Sequence, residues 1–145
     1  MLKKKRPDIL KGSTYCIITG CGKLYVTINT DDAGIIFEIF TQMGKAGGCA
    51  ACQSEASARL ASLAFRLGAI PSDVIKQLKG ITCHTPAITN GVSTLSCADA
   101  IAQAISRYVT DSSIKSVAES FKCPDCGNML QKGEICPDCG TQNER

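Results

Sequence analysis

The glycine pair Gly47-Gly48, followed at once by Cys49, divides this 145-residue chain into two halves of different periodicity. Before it, Leu24, Val26 and Ile28 alternate with Tyr25, Thr27 and Asn29. That is the period-two pattern of a strand with one apolar face. After it, Ala56, Leu60, Leu63, Ala64 and Leu67 recur at helical spacing, and Gly68 ends the run. Strands first and helices second is the order of an α+β domain. The glycines let the backbone turn sharply into the helix. Cys49 then sits at a helix start, where the positive end of the macrodipole favours a thiolate.

Tyr15–Ile18 and Leu24–Ile28 read as two strands joined by the Gly20-Cys21-Gly22 turn, and Ile35–Phe40 reads as a third after Asp31-Asp32-Ala33-Gly34. The expectation is a three-stranded antiparallel meander packed on about three helices. The first helix runs from about Ala50 to Leu67. The second opens at Pro71, an early helical position that suits proline, with Val74, Ile75 and Leu78 as its apolar side. Cys83 and His84 lie in a loop that runs through Pro86 to Thr94. Ser96 is a plausible N-cap for a third helix from Cys97 to about Tyr108, whose core stripe is Ile101, Ala104, Ile105 and Tyr108. The divisions expected are a basic lead over 1–13, an α+β domain over 14–109, a linker or helical extension over 110–121 and a terminal module over 122–145. The lead, with Lys3, Lys4, Lys5 and Arg6, reads as a solvated tail.

The chain carries ten cysteines and no apolar stretch behind its N-terminal charges, which predicts a cytoplasmic protein using cysteine for metal or thiol chemistry rather than disulfides. No membrane span is expected. A net charge of +3, with three Tyr, four Phe and no Trp, gives little basis for direct nucleic-acid binding. There is no GxSxG, no Walker loop and no GxGxxG, and the single histidine leaves a hydrolase without support.

The cysteines fall into two sets. Cys123-Pro124-Asp125-Cys126-Gly127 and Cys136-Pro137-Asp138-Cys139-Gly140 are two tight turns. Their spacing predicts a zinc ribbon in which Cys123, Cys126, Cys136 and Cys139 enclose Zn²⁺. A module that small relies on its metal to fold. The second set is Cys21, Cys49, Cys83 and Cys97, each at a turn, a loop or a helix start. One end of the domain can gather all four into a metal or iron–sulfur site. The alternative is four small hydrophobes in a core. Cys52, one helical turn after Cys49, and His84, beside Cys83, are possible extra ligands. Cys16 lies on the first strand and is expected to be inert.

Five separated motifs carry a family resemblance. They are Arg6-Pro7-Asp8-Ile9-Leu10, Thr19-Gly20-Cys21-Gly22-Lys23-Leu24-Tyr25-Val26-Thr27-Ile28-Asn29, Gly44-Lys45-Ala46-Gly47-Gly48-Cys49, Gln77-Leu78-Lys79-Gly80-Ile81-Thr82-Cys83 and Leu95-Ser96-Cys97-Ala98-Asp99. Over roughly 6–108 the chain resembles the TSCPD domain, the C-terminal region of adenosylcobalamin-dependent (class II) ribonucleotide reductases, many of which continue into a zinc ribbon. Leu95 and Ala98 stand where the signature has Thr and Pro. The family's four cysteines match Cys21, Cys49, Cys83 and Cys97. The layout of Cys21, Cys49 and Cys97 is also distantly similar to the U-type iron–sulfur scaffold proteins, a likeness of fold that assigns no function alone.

The resemblance implies a detached C-terminal domain or accessory subunit of a ribonucleoside-diphosphate reductase. This sequence contains no barrel for the radical chemistry, so activity on its own is not expected. Adenosylcobalamin would belong to a catalytic partner chain. The other implied reading is an iron–sulfur or zinc protein of cluster assembly or redox sensing. Self-association is left open by the residues.

Overall fold

The computed structural model describes residues 2–44, 48–118, 120–122 and 129–131, with side chains for 2–44 and 48–112. Three strands form an antiparallel sheet in the order β1 (Lys11–Thr19), β2 (Gly22–Thr30), β3 (Ile36–Met43). Three helices follow: α1 (Gly48–Arg66), α2 (Pro71–Leu78) and α3 (Cys97–Ala118). The class is α+β, as expected. Between α2 and α3 the loop also folds into a small hairpin, β4 (Ala87–Thr89) and β5 (Val92–Thr94), turned by Asn90-Gly91 with both residues at positive φ. Two further short strands, β6 (Ser120–Lys122) and β7 (Met129–Gln131), pair with each other. The chain divides into two compact units, 1–108 and 109–145. Cys123, Cys126, Cys136 and Cys139 lie outside the described residues.

The period-two pattern of β2 holds: Leu24, Val26 and Ile28 are fully buried at the centre of the sheet. They meet Ile36, Ile39 and Met43 of β3 and the α3 residues Ala100, Ile101, Ala104 and Ile105 in one core. Val74 is buried in that core, with Ile75 and Leu78 packed against it.

Helix α1 is rotated from the expected stripe. Its buried residues are Ser54, Ala58, Ala61 and Phe65, whereas Leu60 is 68% and Leu63 40% exposed. The physical reason is close approach to β3. Small residues let the helix lie against the strand, and the Ser62 hydroxyl reaches Ile39 on both sides. It accepts from the Ile39 N–H at 2.8 Å and lies 3.0 Å from the Ile39 carbonyl oxygen. That serves backbone groups of β3, which pairs only with β2 in the sheet.

The basic lead is exposed over residues 2–9 and is held to the domain at Lys4 and Arg6. Arg6 grips the buried Glu38 with two bonds of 2.9 Å, and Asn29 donates to the same carboxylate at 2.9 Å. Burial alone would raise the Glu38 pKa, but the Arg6 and Asn29 hydrogen bonds and the charges of Arg6 and Arg66 hold it below the usual range. Arg66 donates to the Lys4 carbonyl at 2.8 and 3.1 Å and stacks 5.4 Å above the Phe37 ring. Among the described residues no helix is long and apolar enough to cross a membrane.

Candidate functional site

Four segments distant in sequence meet at one cavity of about 400 Å³. The β1–β2 turn supplies Cys21, the start of α1 supplies Cys49, the loop after α2 supplies Cys83 and His84, and the start of α3 supplies Cys97. Ala50, Gln53 and Ser57 of α1, Ile81 and Thr82 of the loop, and Ser96 and Ala98 complete the lining. All four cysteines singled out by their turn positions are therefore neighbours of one space, and His84 joins them. Cys52 is exposed on α1 and is absent from the lining. Cys16 borders a different, smaller cavity with Asn90 and Arg107.

Each cysteine is held by a local device. The β1–β2 turn is closed by Thr19, whose hydroxyl donates to the Gly22 carbonyl at 2.9 Å and accepts from the Cys21 N–H at 3.3 Å. Gly20 lets this turn press on the loop that carries Cys83: a Cβ here would sit 1.8 Å from the Thr85 carbonyl oxygen. Gly48 opens α1 at φ 88°, a conformation that favours glycine, and so aims the first turn with Cys49.

The third device joins Cys83 to Cys97. Ser96 caps α3 by accepting from the Asp99 N–H at 3.2 Å and donates its own proton to the Ile81 carbonyl at 2.6 Å. Asp99 is 4% exposed, and its carboxylate accepts from Gly80 N–H (2.9 Å), Leu95 N–H (3.1 Å) and Gln103 Nε2 (2.9 Å). The Cys83 N–H donates to the Leu95 carbonyl at 3.0 Å. Ser96 and Asp99 thus stitch the loop 80–83 to the start of α3. Ala98 occupies the first turn of α3, where the backbone N–H needs no helical partner. Proline is therefore dispensable there, and the turn forms without it.

The Cys97 thiol has a pKa above the ordinary value. Burial pushes its pKa up, and negative charge on Cys21 or Cys83 pushes it further; the Thr19 hydroxyl pulls the other way, and a hydrogen bond with the Cys21 thiol adds to the rise. A helix start alone would lower it, so desolvation and neighbouring sulfur outweigh the helix dipole here.

Among the described residues no three of His, Cys, Asp and Glu stand close enough to enclose one metal ion. The six cysteines described are all unbonded. The donor set suits a soft metal or an iron–sulfur cluster, both of which take thiolate ligands. The spacing is that of an open, ligand-sized cavity rather than a closed tetrahedron.

A family model of the TSCPD domain matches residues 2–109. The chain belongs to the TSCPD domain family. That domain is associated with ribonucleotide reductases. No curated protein and no solved structure matches the chain. The TSCPD signature positions Ser96, Cys97 and Asp99 all act at the cavity: Cys97 faces it, and the other two hold its wall. Sequence reasoning recognised Ser96 as a cap and placed Asp99 in the first helical turn. It missed the bond from Asp99 to Gly80 and the lining by Gln53 and Ser57, for which a single sequence carries no signal.

Proposed function

We propose that this TSCPD domain serves an adenosylcobalamin-dependent ribonucleoside-diphosphate reductase as a detached C-terminal domain or accessory subunit, and that its cavity holds a thiolate-bound metal ion or iron–sulfur cluster. The observation that carries the reading is the meeting of Cys21, Cys49, Cys83 and Cys97, from four separate segments, around one space. These four would be the ligands, and the group when bound would supply either a structural clamp or one-electron chemistry.

The chain's own part is positional. Ser96 and Asp99 fix the Cys83 loop on α3, and Gly20 seats the Cys21 turn against Thr85. Cys97 must lose a proton to become a ligand, so its raised pKa makes loading favour higher pH. His84 lies on the rim as an alternative donor, whereas Cys52 would need to turn inward. Cys123, Cys126, Cys136 and Cys139 form a second, closed zinc site in this reading, and that module docks on the catalytic chain. The partner provides adenosylcobalamin and reduces the ribonucleotide, and this chain assists deoxyribonucleotide synthesis without catalysing the step.

Metal and sulfide analysis of the full chain, purified anaerobically, tests the site. Wild type should carry one more metal centre than Cys49→Ser; equal contents would remove the cavity as a metal site. Co-purification with a catalytic reductase chain, and a gain in its turnover, tests the partner. Loss of association at micromolar concentration would leave a cluster-assembly or redox-sensing role for the same cavity.

A further inference from the structure

Helix α1 buries Ser54, Ala58, Ala61 and Phe65 but leaves Ala56, Leu60 and Leu63 exposed, one helical turn apart on one face. Leu63 lines a hollow of about 220 Å³ together with Phe40 of β3, which is 56% exposed. Leu60 continues the same face one turn before Leu63. Exposed apolar residues scattered singly are ordinary. Bulky ones gathered about one hollow mark a contact surface.

The charge around the hollow has one sign. Lys3, Arg59 and Arg66 line it, and Lys4 and Lys5 follow Lys3 in the exposed lead. Of the lining residues only Glu38 is acidic, and Arg6 bridges its carboxylate at 2.9 Å. Arg59 holds Glu55 at 2.7 Å, but both side chains are exposed. An exposed pair of that kind is weak, so Arg59 is free to take another carboxylate.

We propose that this hollow docks an acidic segment of a partner protein, with a bulky apolar side chain seated between Phe40 and Leu63 and flanking carboxylates on Lys3 and Arg59. The apolar contact supplies the anchor, and the cations select the sign of the partner and speed its approach. A second copy of this chain fits poorly, because a face that meets itself would set Lys3, Arg59 and Arg66 against their own like. A bilayer surface is flat, whereas the apolar side chains here line a hollow. The hollow shares no lining residue with the cysteine cavity, and the docking does not depend on what that cavity holds.

The test is fluorescence anisotropy of the full chain with a labelled peptide, Glu-Glu-Leu-Glu-Glu-Leu-Glu-Glu. The rise should saturate and weaken with added salt. The same peptide with lysine for glutamate should not bind, and with serine for leucine it should bind about tenfold more weakly, the loss of one good apolar anchor. Phe40→Ser and Leu63→Ser should each weaken binding by about the same factor. Lys3→Glu should weaken it and flatten its salt dependence, and Cys49→Ser should leave it unchanged. The substituted side chains are all exposed, and equal urea midpoints check that the variants fold. No saturable rise at millimolar protein would overturn the proposal, as would equal binding of the lysine peptide or full binding by Phe40→Ser and Leu63→Ser. A dimer by light scattering that Leu63→Ser dissolves would give the face to a second copy instead. Flotation with phosphatidylserine vesicles that Leu63→Ser abolishes, without peptide binding, would give it to a membrane.

Discussion

At the β3 edge, Ile39 and Glu38 have their polar groups answered inside the fold, by Ser62 in one case and by Arg6 and Asn29 in the other. At the cavity the side chains with chemistry, Cys21, Cys49, Cys83, Cys97 and His84, face open space. Satisfaction there is displaced onto neighbouring residues: Thr19 accepts from the Cys21 N–H, Asp99 accepts from the Gly80 and Leu95 N–H groups, and Ser96 accepts from the Asp99 N–H and donates to the Ile81 carbonyl. The first region spends its polar groups on closure. The second spends them on scaffolding and leaves the thiols available. Most of the hydrogen bonds that hold this region are therefore made by residues other than the thiols, the bond from the Thr85 N–H to the Cys83 sulfur at 3.4 Å being an exception.

Removing a scaffold residue should harm the cavity region more than any single loss at the edge. Asp99→Ala strips three donors of their shared acceptor and should cost about 3 kcal/mol in urea unfolding, since bonds to a buried charge are the strong ones. It should also speed alkylation of Cys83 in the folded protein. An unchanged midpoint would break the contrast between scaffold and thiols. Gly20→Ala forces the Thr85 carbonyl away and should cost about 2 kcal/mol, the scale of an overpacked contact. Thermal unfolding measures it.

At the edge, Ser62→Ala leaves the Ile39 N–H without its side-chain acceptor and should cost about 1 kcal/mol by urea titration. The Arg6–Glu38 pair predicts a pH dependence. Glu38 has a lowered pKa in the folded state, so its contribution is fully present above the ordinary carboxylate pKa. It is lost as pH falls through the folded-state value. Stability measured against pH should decline on the acid side in wild type and decline less in Glu38→Gln. Parallel curves would show that the pair adds nothing. The smallest effect is expected at Leu60→Ser, within about 0.5 kcal/mol, because this leucine is exposed although its spacing looks like core. A large loss there would restore the helical stripe counted from the sequence.

The alternation in β2 and the stripes of α2 and α3 were legible because their apolar residues face one core, and spacing alone reports a face. The α1 stripe misled. Its leucines recur at helical spacing, but the helix meets β3 through Ser54, Ala58, Ala61 and Ser62, where small size and one hydroxyl matter more than hydrophobicity. The anchor of the lead was not legible because Arg6 finds its partner 32 residues away at Glu38, beyond any local pattern. The β4–β5 hairpin was missed for its brevity, although Asn90-Gly91 is a strong turn signal.

By itself the sequence determined the α+β order, the buried face of β2 and the placement of four cysteines at turns, a loop and helix starts, because these follow from local spacing and from glycine's freedom at turns. Only the tertiary structure decided that the four cysteines share one cavity and that Cys52 stands outside it. Those facts depend on which segments approach in space. The approach is set by long-range bonds, such as Asp99 to Gly80, and by the contact that only a glycine at position 20 permits.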